Sequence, residues 1–149
     1  MTESDEAVAV VDVAALQSWL GLFAEEVATN RDLLTRLDSA IGDADHGANL
    51  DRGMSAVVAA LDKAPPETPA ALFKTTGMTL VSTVGGASGP LYGTFFLRMA
   101  GSVGEAGSLD ATGFAGAAGR GRRGGRPGSG SGGRQDDVRR TGTGLRRSR

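Results

Sequence analysis

Leu37-Asp38-Ser39-Ala40-Ile41-Gly42-Asp43-Ala44-Asp45-His46-Gly47 is where the helical periodicity of the chain breaks, and that break decides the fold. On its N-terminal side Leu33, Leu34 and Leu37 trace a short helix that Asn30 can cap. On its C-terminal side Leu50, Met54, Val57, Val58 and Leu61 mark one face of a helix that runs from about Asn49 to Pro65-Pro66, a pair that cannot continue it. The alternation of helix and polar loop repeats outward in both directions. Upstream, Val13, Leu16, Leu20, Phe23 and Val27 share a helical face, with Asp12 placed as its cap. Downstream, Thr68-Pro69 is an N-cap and first-turn pair for a helix through Phe73, Leu80 and Val84, which ends at Gly85-Gly86. Pro90 opens another with Leu91, Phe95, Leu97 and Met99, and Asp110 starts a sixth before Phe114. Beyond about Ala118 the pattern stops, and no strand-like alternation of useful length occurs. The expectation is an all-α fold, an antiparallel helical bundle or barrel. Short connections should bring the 42–47 and 85–90 loops to one end of it.

The breaking stretch also carries chemistry. Three carboxylates and one imidazole fall close together, and Gly42 and Gly47 allow the backbone to turn so that short Asp arms converge on a hard cation. With no cysteine and a single histidine in the whole chain, oxygen ligation of Mg²⁺ fits better than zinc. An EF-hand is excluded, because its loop needs a glutamate at the last ligand position and Leu50 lies on an apolar helix face. Asp-rich turns also serve as plain solvated caps. Gly85-Gly86-Ala87-Ser88-Gly89-Pro90 is a tight turn before a helix, where amides without intrahelical partners can hold phosphate, although many such turns are only helix ends. Together the two loops suit a Mg²⁺-nucleotide site with no Walker lysine. His46 follows two candidate metal ligands and suits nucleotide contact better than metal ligation, with Asn49 one turn further along the same side.

Composition divides the chain. Residues 1–119 carry six Lys or Arg against fifteen Asp or Glu, a balance of −9, whereas residues 120–149 carry ten Arg against two Asp, a balance of +8. The overall −1 is a cancellation. There is no cysteine, so disulfides and thiolate metal sites are excluded. The start is acidic, unlike a secretory leader, and no run approaches the about 18 apolar residues of a membrane span. The expected location is cytoplasmic, with no membrane partner.

The two motifs, Leu37–Gly47 and Gly85–Gly93, resemble those of one family, the L subunit or L domain of dihydroxyacetone (glycerone) kinases: Leu-Asp-x-x-Ile-Gly-Asp-x-Asp-His-Gly followed by Gly-Gly-Ala-Ser-Gly-Pro-Leu-Tyr-Gly. The resemblance covers roughly residues 10–118. Related two-domain fatty-acid kinases carry Asp-Gly-Asp-Thr-Gly instead, which Asp45-His46 does not match. The resemblance implies a barrel of antiparallel helices that holds ADP or ATP and two Mg²⁺ ions at one end. By position Asp38, Asp43 and Asp45 would be the Mg²⁺ ligands, His46 and Asn49 would contact the nucleotide, and Gly85, Gly86, Ala87, Ser88 and Gly89 would line the phosphates. The phosphoryl group would pass to dihydroxyacetone on a separate K subunit, which carries the substrate-binding histidine. A phosphotransferase M-type subunit would recharge the nucleotide in the phosphoenolpyruvate-dependent form, and ATP would supply it otherwise.

The family continues past residue 118 with more helices and a Gly-Asp-Lys-Thr-Met loop, which is absent here. Residues Arg134–Gly144 can be written in synonymous codons whose second frame reads Asp-Lys-Thr-Met-Tyr-Asp-Ala-Leu-Ala-Pro. The expectation is a frameshift near residue 118. Residues 1–9 would be a flexible start, 10–118 a partial L domain incomplete on its C-terminal side, and 119–149 a disordered Gly/Arg-rich tail. An evolved nucleic-acid-binding arm is the rival reading of that tail, and the lack of interleaved aromatics disfavours it. Two functional classes follow: a kinase subunit, or a non-catalytic product with impaired nucleotide binding.

Overall fold

A computed structural model describes residues 9–40, 42, 44–86 and 88–123 of the chain. Its elements in chain order are β1 (Val10–Val11), α1 (Val13–Thr29), α2 (Arg31–Ser39), α3 (His46–Lys63), α4 (Pro69–Thr83), α5 (Ser88–Val103), β2 (Leu109–Asp110) and α6 (Ala111–Arg122). The fold is all-α. The two short strands form a single antiparallel pair, Val10 opposite Asp110 and Val11 opposite Leu109, which ties the entry to α1 to the entry to α6.

Local chemistry sets the helix starts. Asp12 accepts a hydrogen bond from the Ala15 amide at 2.8 Å, Thr68 from Ala71 at 3.1 Å, and Asp110 from Gly113 at 2.6 Å, so three helices open on side-chain caps. Asn30 behaves differently from expectation. Its amide nitrogen donates back to the Glu26 carbonyl at 2.8 Å, closing α1, and its side chain makes no cap bond to α2. Helix α3 begins at His46, four residues before Leu50, the first residue of its apolar face, so Gly47 lies inside a helix and not in a turn. It is buried against α2. A Cβ there would run into the Arg31 carbonyl oxygen and lie 2.6 Å from Thr35 Oγ1.

The core is a layer of Leu16, Leu20 and Val27 from α1, Leu50, Met54, Val57 and Leu61 from α3, Leu72, Phe73 and Leu80 from α4, and Phe96 and Met99 from α5. Two expected faces differ. Helix α2 buries none of its residues, and Leu37 is 61% exposed. On α5 the buried positions are Gly89, Gly93, Phe96 and Met99, whereas Leu91 is 65% exposed. The reason is the approach of α4 to α5. A Cβ on Gly77 would lie 2.8 Å from the Gly93 carbonyl oxygen, so the glycine side of α5, with no side chains to hold the backbones apart, is the side that packs.

Residues 119–122, expected in a disordered tail, form the last turn of α6. Gly121 in that turn is a close-approach residue: a Cβ would sit 2.7 Å from the Phe95 ring and 3.0 Å from the Phe95 carbonyl oxygen. Arg98 Nη1 donates to the Arg123 carbonyl at 2.9 Å and closes the helix end. Trp19 joins α6 to α1 through an edge-on contact with Phe114, ring centroids 5.4 Å apart. Residues 124–149 lie outside the described residues. Among those that are described, no helix is long and apolar enough to cross a membrane.

Candidate functional site

The α2–α3 loop and the α4–α5 loop meet at one end of the bundle, and the joint is made by side chains of α3. His46, Asn49 and Arg52 recur at three-residue steps along one side of this helix. Each reaches the α4–α5 connection. His46 Nδ1 is 2.8 Å from Ser88 Oγ, Asn49 Nδ2 is 3.9 Å from where a Gly85 Cβ would stand, and Arg52 Nε donates to the Thr83 carbonyl at 3.3 Å. Arg52 Nη2 also donates to Asn49 Oδ1 at 2.9 Å, which orients the Asn49 amide nitrogen toward Gly85.

On the carboxylate side, Asp38 sits in the last turn of α2, half-buried. Its Oδ2 accepts the Asp45 backbone amide at 3.3 Å and so folds the loop back over the end of α2. Asp45 is exposed at the N-cap position of α3, yet its carboxylate makes no capping bond. Among the described residues the recorded ion pair is Arg31 with Asp51 at 3.6 Å, and no cation pairs with Asp38 or Asp45. Between them Ala44 has φ +58°, a left-handed conformation that costs a non-glycine residue about 1 kcal/mol. Asp43, the third expected ligand, lies outside the described residues.

On the glycine side, Gly85 and Gly86 are exposed and Gly86 has φ +64°. Ala87 lies outside the described residues. Ser88 is the first residue of α5, two positions before the Pro90 expected to open it, and Pro90 occupies the first turn, where its missing amide costs nothing. Gly89 is buried, and a Cβ there would collide with the Val84 carbonyl oxygen, so only glycine lets the loop fold back over the helix start. The amides of Ser88 and Gly89 belong to the first turn and have no intrahelical acceptor. His46, Asn49, Gly85 and Ser88 thus lie together where the two loops meet, and Asp38 is joined to the Asp45 amide just before the start of the same helix α3. Two further participants went unread in the sequence. Arg52 was visible as the next step of the His46, Asn49 spacing. Tyr92, whose hydroxyl lies 3.5 Å from His46 Nε2, was visible only as the residue one turn after Ser88.

Known proteins resemble the chain over this region. The DAK2 domain model matches residues 40–126. The "PEP-dependent dihydroxyacetone kinase 1, ADP-binding subunit DhaL" of Listeria innocua is 52% identical over 95 residues, 64% of this chain and 48% of that protein. The "PEP-dependent dihydroxyacetone kinase, ADP-binding subunit DhaL" of Escherichia coli is 51% identical over 83 residues, 56% of this chain and 40% of that protein. The "Triokinase/FMN cyclase" of Rattus norvegicus is 34% identical over 103 residues, 66% of this chain and 18% of that protein. The chain spans about half the length, or less, of these relatives. With both loops of the site inside a match that covers more than half of its residues, the chain belongs to the DAK2 domain family.

Proposed function

We propose that the chain is the nucleotide-holding part of a dihydroxyacetone kinase, binding ADP or ATP with Mg²⁺ between the carboxylate loop and the glycine loop. The observation that carries this reading is the 2.8 Å contact of Ser88 Oγ with His46 Nδ1, which brings the start of α3 against the start of α5. Two helix N-termini then face one space, each favouring negative charge. Asp38 and Asp45, unpaired with any cation among the described residues, are oxygen donors fitted to a hard divalent ion. Asp43 is proposed as the third. Mg²⁺, bound as two ions, would neutralise polyphosphate charge, which is most of what phosphoryl transfer requires.

The chain's own residues then have separate tasks. Asp38 and Asp45 hold the metal, the Ser88 and Gly89 amides hold phosphate oxygens, and His46 and Asn49 contact the nucleotide. Gly85 and Gly86, with Ala87, line the phosphates, the two glycines without side chains that would keep the anion away. No nucleophile is needed here, since the acceptor would be held on a K subunit. The phosphoryl donor would be a phosphotransferase M-type subunit, or ATP in an ATP-dependent form.

Calorimetric titration of the 149-residue chain with ADP, with and without Mg²⁺, tests this. Asp45→Asn should weaken Mg²⁺-dependent ADP binding by at least about a hundredfold while leaving far-UV circular dichroism unchanged. ADP binding indifferent to Mg²⁺, or lost only together with helicity, would make these carboxylates structural. A second reading, a chain that does not retain nucleotide, is favoured by one observation. An open apolar groove of about 620 Å³ runs beside Leu91, Phe95 and Gly121 on the outer side of α5, so the helix that carries Ser88 is packed on one side more firmly than on the other. Absence of ADP binding by the wild-type chain would select it.

A further inference from the structure

His46 is clasped on both ring nitrogens by a single helix. Ser88 and Tyr92 stand four residues apart on α5 and therefore on one face of it, and the imidazole at the start of α3 enters between them. Nδ1 is 2.8 Å from Ser88 Oγ, and Nε2 is 3.5 Å from the Tyr92 hydroxyl. The His46 and Tyr92 rings are tilted at 59° with centroids 6.0 Å apart, so the phenol reaches the ring edge, where the nitrogen lone pair lies, and does not stack on the face. All three side chains are half-buried.

A neutral imidazole has one donor and one acceptor nitrogen, so two hydroxyl partners cannot both donate to it. One must donate and the other must accept. The phenol is the more acidic hydroxyl and its oxygen the poorer acceptor, because its lone pair is delocalised into the ring, whereas an alkyl hydroxyl oxygen accepts well. The geometry points to Tyr92 as a positioning residue that holds His46 as the Nδ1–H tautomer. The Tyr92 O–H donates to Nε2, Nδ1–H donates to Ser88 Oγ, and the Ser88 proton is turned away from the ring. Each bond in such a chain polarises the next. The consequence lies at Ser88. With its oxygen already accepting, its hydroxyl becomes a donor directed at the space in front of the α5 amides, a third N–H or O–H aimed at an anion there. In the opposite tautomer Ser88 would spend its proton on Nδ1 and present a lone pair to that anion, which repels it. This role for Ser88 deepens the nucleotide-phosphate reading above and rests on it, but the tautomer does not.

The chain contains one histidine and one tyrosine, so the imidazole nitrogens can be read without assignment. A long-range ¹H–¹⁵N spectrum of the full ¹⁵N-labelled chain at mildly alkaline pH, free of Mg²⁺ and nucleotide, should show Nδ1 protonated and Nε2 unprotonated. Tyr92→Phe removes one oxygen, and it should move the population toward the Nε2–H form by roughly tenfold with far-UV circular dichroism unchanged. A wild-type chain found in the Nε2–H form would overturn the inference, as would a Tyr92→Phe spectrum identical to wild type. Titration with ADP and Mg²⁺ then separates the two claims. If the tautomer is as stated and Tyr92→Phe weakens ADP binding by about three- to tenfold, both hold. If the tautomer is as stated and the wild-type chain ignores ADP, the functional reading fails while the tautomer assignment stands.

Discussion

Replacing Gly47 by alanine sets two quantities against each other whose sizes can be worked out. Gly47 is in the first turns of α3, and alanine there improves helix propensity by about 1 kcal/mol. Its Cβ would also be driven into the Arg31 carbonyl oxygen, 2.6 Å from Thr35 Oγ1 and 2.9 Å from the Arg31 carbonyl carbon. These are backbone and short side-chain atoms of α2, not the free end of a long side chain, so relief requires the two helices to separate. Overpacking of that kind costs about 1–3 kcal/mol, and a clash with backbone belongs at the upper end. The net expectation is a loss of about 2 kcal/mol, read as a lower urea midpoint by circular dichroism. Gly101→Ala is the matched control, because Gly101 is exposed on α5 with nothing within 4 Å of a Cβ. It should gain up to about 1 kcal/mol. The effect of Gly47→Ala should extend to the site, since α2 carries Asp38 and pushing α2 away lengthens its 3.3 Å link to the Asp45 amide. Mg²⁺-dependent ADP binding should therefore weaken more than the stability loss accounts for. A Gly47→Ala chain as stable as Gly101→Ala would refute the close α2–α3 packing and the placement of Asp38 that depends on it.

Three further outcomes are expected. Asp110→Ala removes the cap on the Gly113 amide and should cost about 1 kcal/mol, with the change visible in fluorescence of Trp19, the sole tryptophan, because its Phe114 neighbour is on α6. Ala44→Gly relieves a left-handed alanine in the carboxylate loop, so denaturation midpoints should stay level or rise slightly, whereas Ala44→Val should lower them by about 1–2 kcal/mol. The coding sequence, read in its second frame across Arg134–Gly144, should contain an open Asp-Lys-Thr-Met segment, and a stop codon or an unrelated peptide there would end the frameshift proposal.

Helix number and order and three of the caps were legible because Asp12, Thr68 and Asp110 stand directly before apolar stripes, and local hydrogen bonding decides such starts. What was not legible depends on how closely backbones approach. Gly47, Gly77, Gly93 and Gly121 lie in helices where a Cβ would collide with a neighbouring helix, but in the sequence they look like turn or breaker residues. Reading Gly47 as a turn placed the start of α3 too late, and the end of the apolar pattern near Ala118 ended α6 too soon. The same cause shifted the buried face of α5, leaving Leu91 exposed while Met99 stays in the core. Its large residues Leu91 and Phe95 suggested the buried face, but the glycine face is the one against α4, and Phe96 enters the core beside it.

The candidate site residues stand out in the sequence for a different reason. They cluster in two short stretches, and each stretch has a chemistry that can be stated without knowing the fold: convergent carboxylates in one, free amides in the other. Short connections put the two at one end of the bundle, but position along the chain could not say which side chains would join them. That depends on His46 being the first residue of a helix rather than the last of a loop. As a helical residue it begins a three-residue ladder with Asn49 and Arg52, and that ladder meets the α4–α5 connection at Ser88, Gly85 and Thr83 in turn. Two hydrogen bonds spaced along one helix, His46 to Ser88 at the start of α5 and Arg52 to Thr83 at the end of α4, set α3 against the α4–α5 connection, which a single contact could not do. Arg52 follows as a residue whose loss should loosen the far end of the ladder while the His46–Ser88 bond survives. Arg52→Gln should therefore weaken ADP binding moderately, by about three- to tenfold, and leave the His46 tautomer pattern in place. A change in that pattern on Arg52→Gln would mean that the ladder is one cooperative unit and that His46 is not positioned by α5 alone.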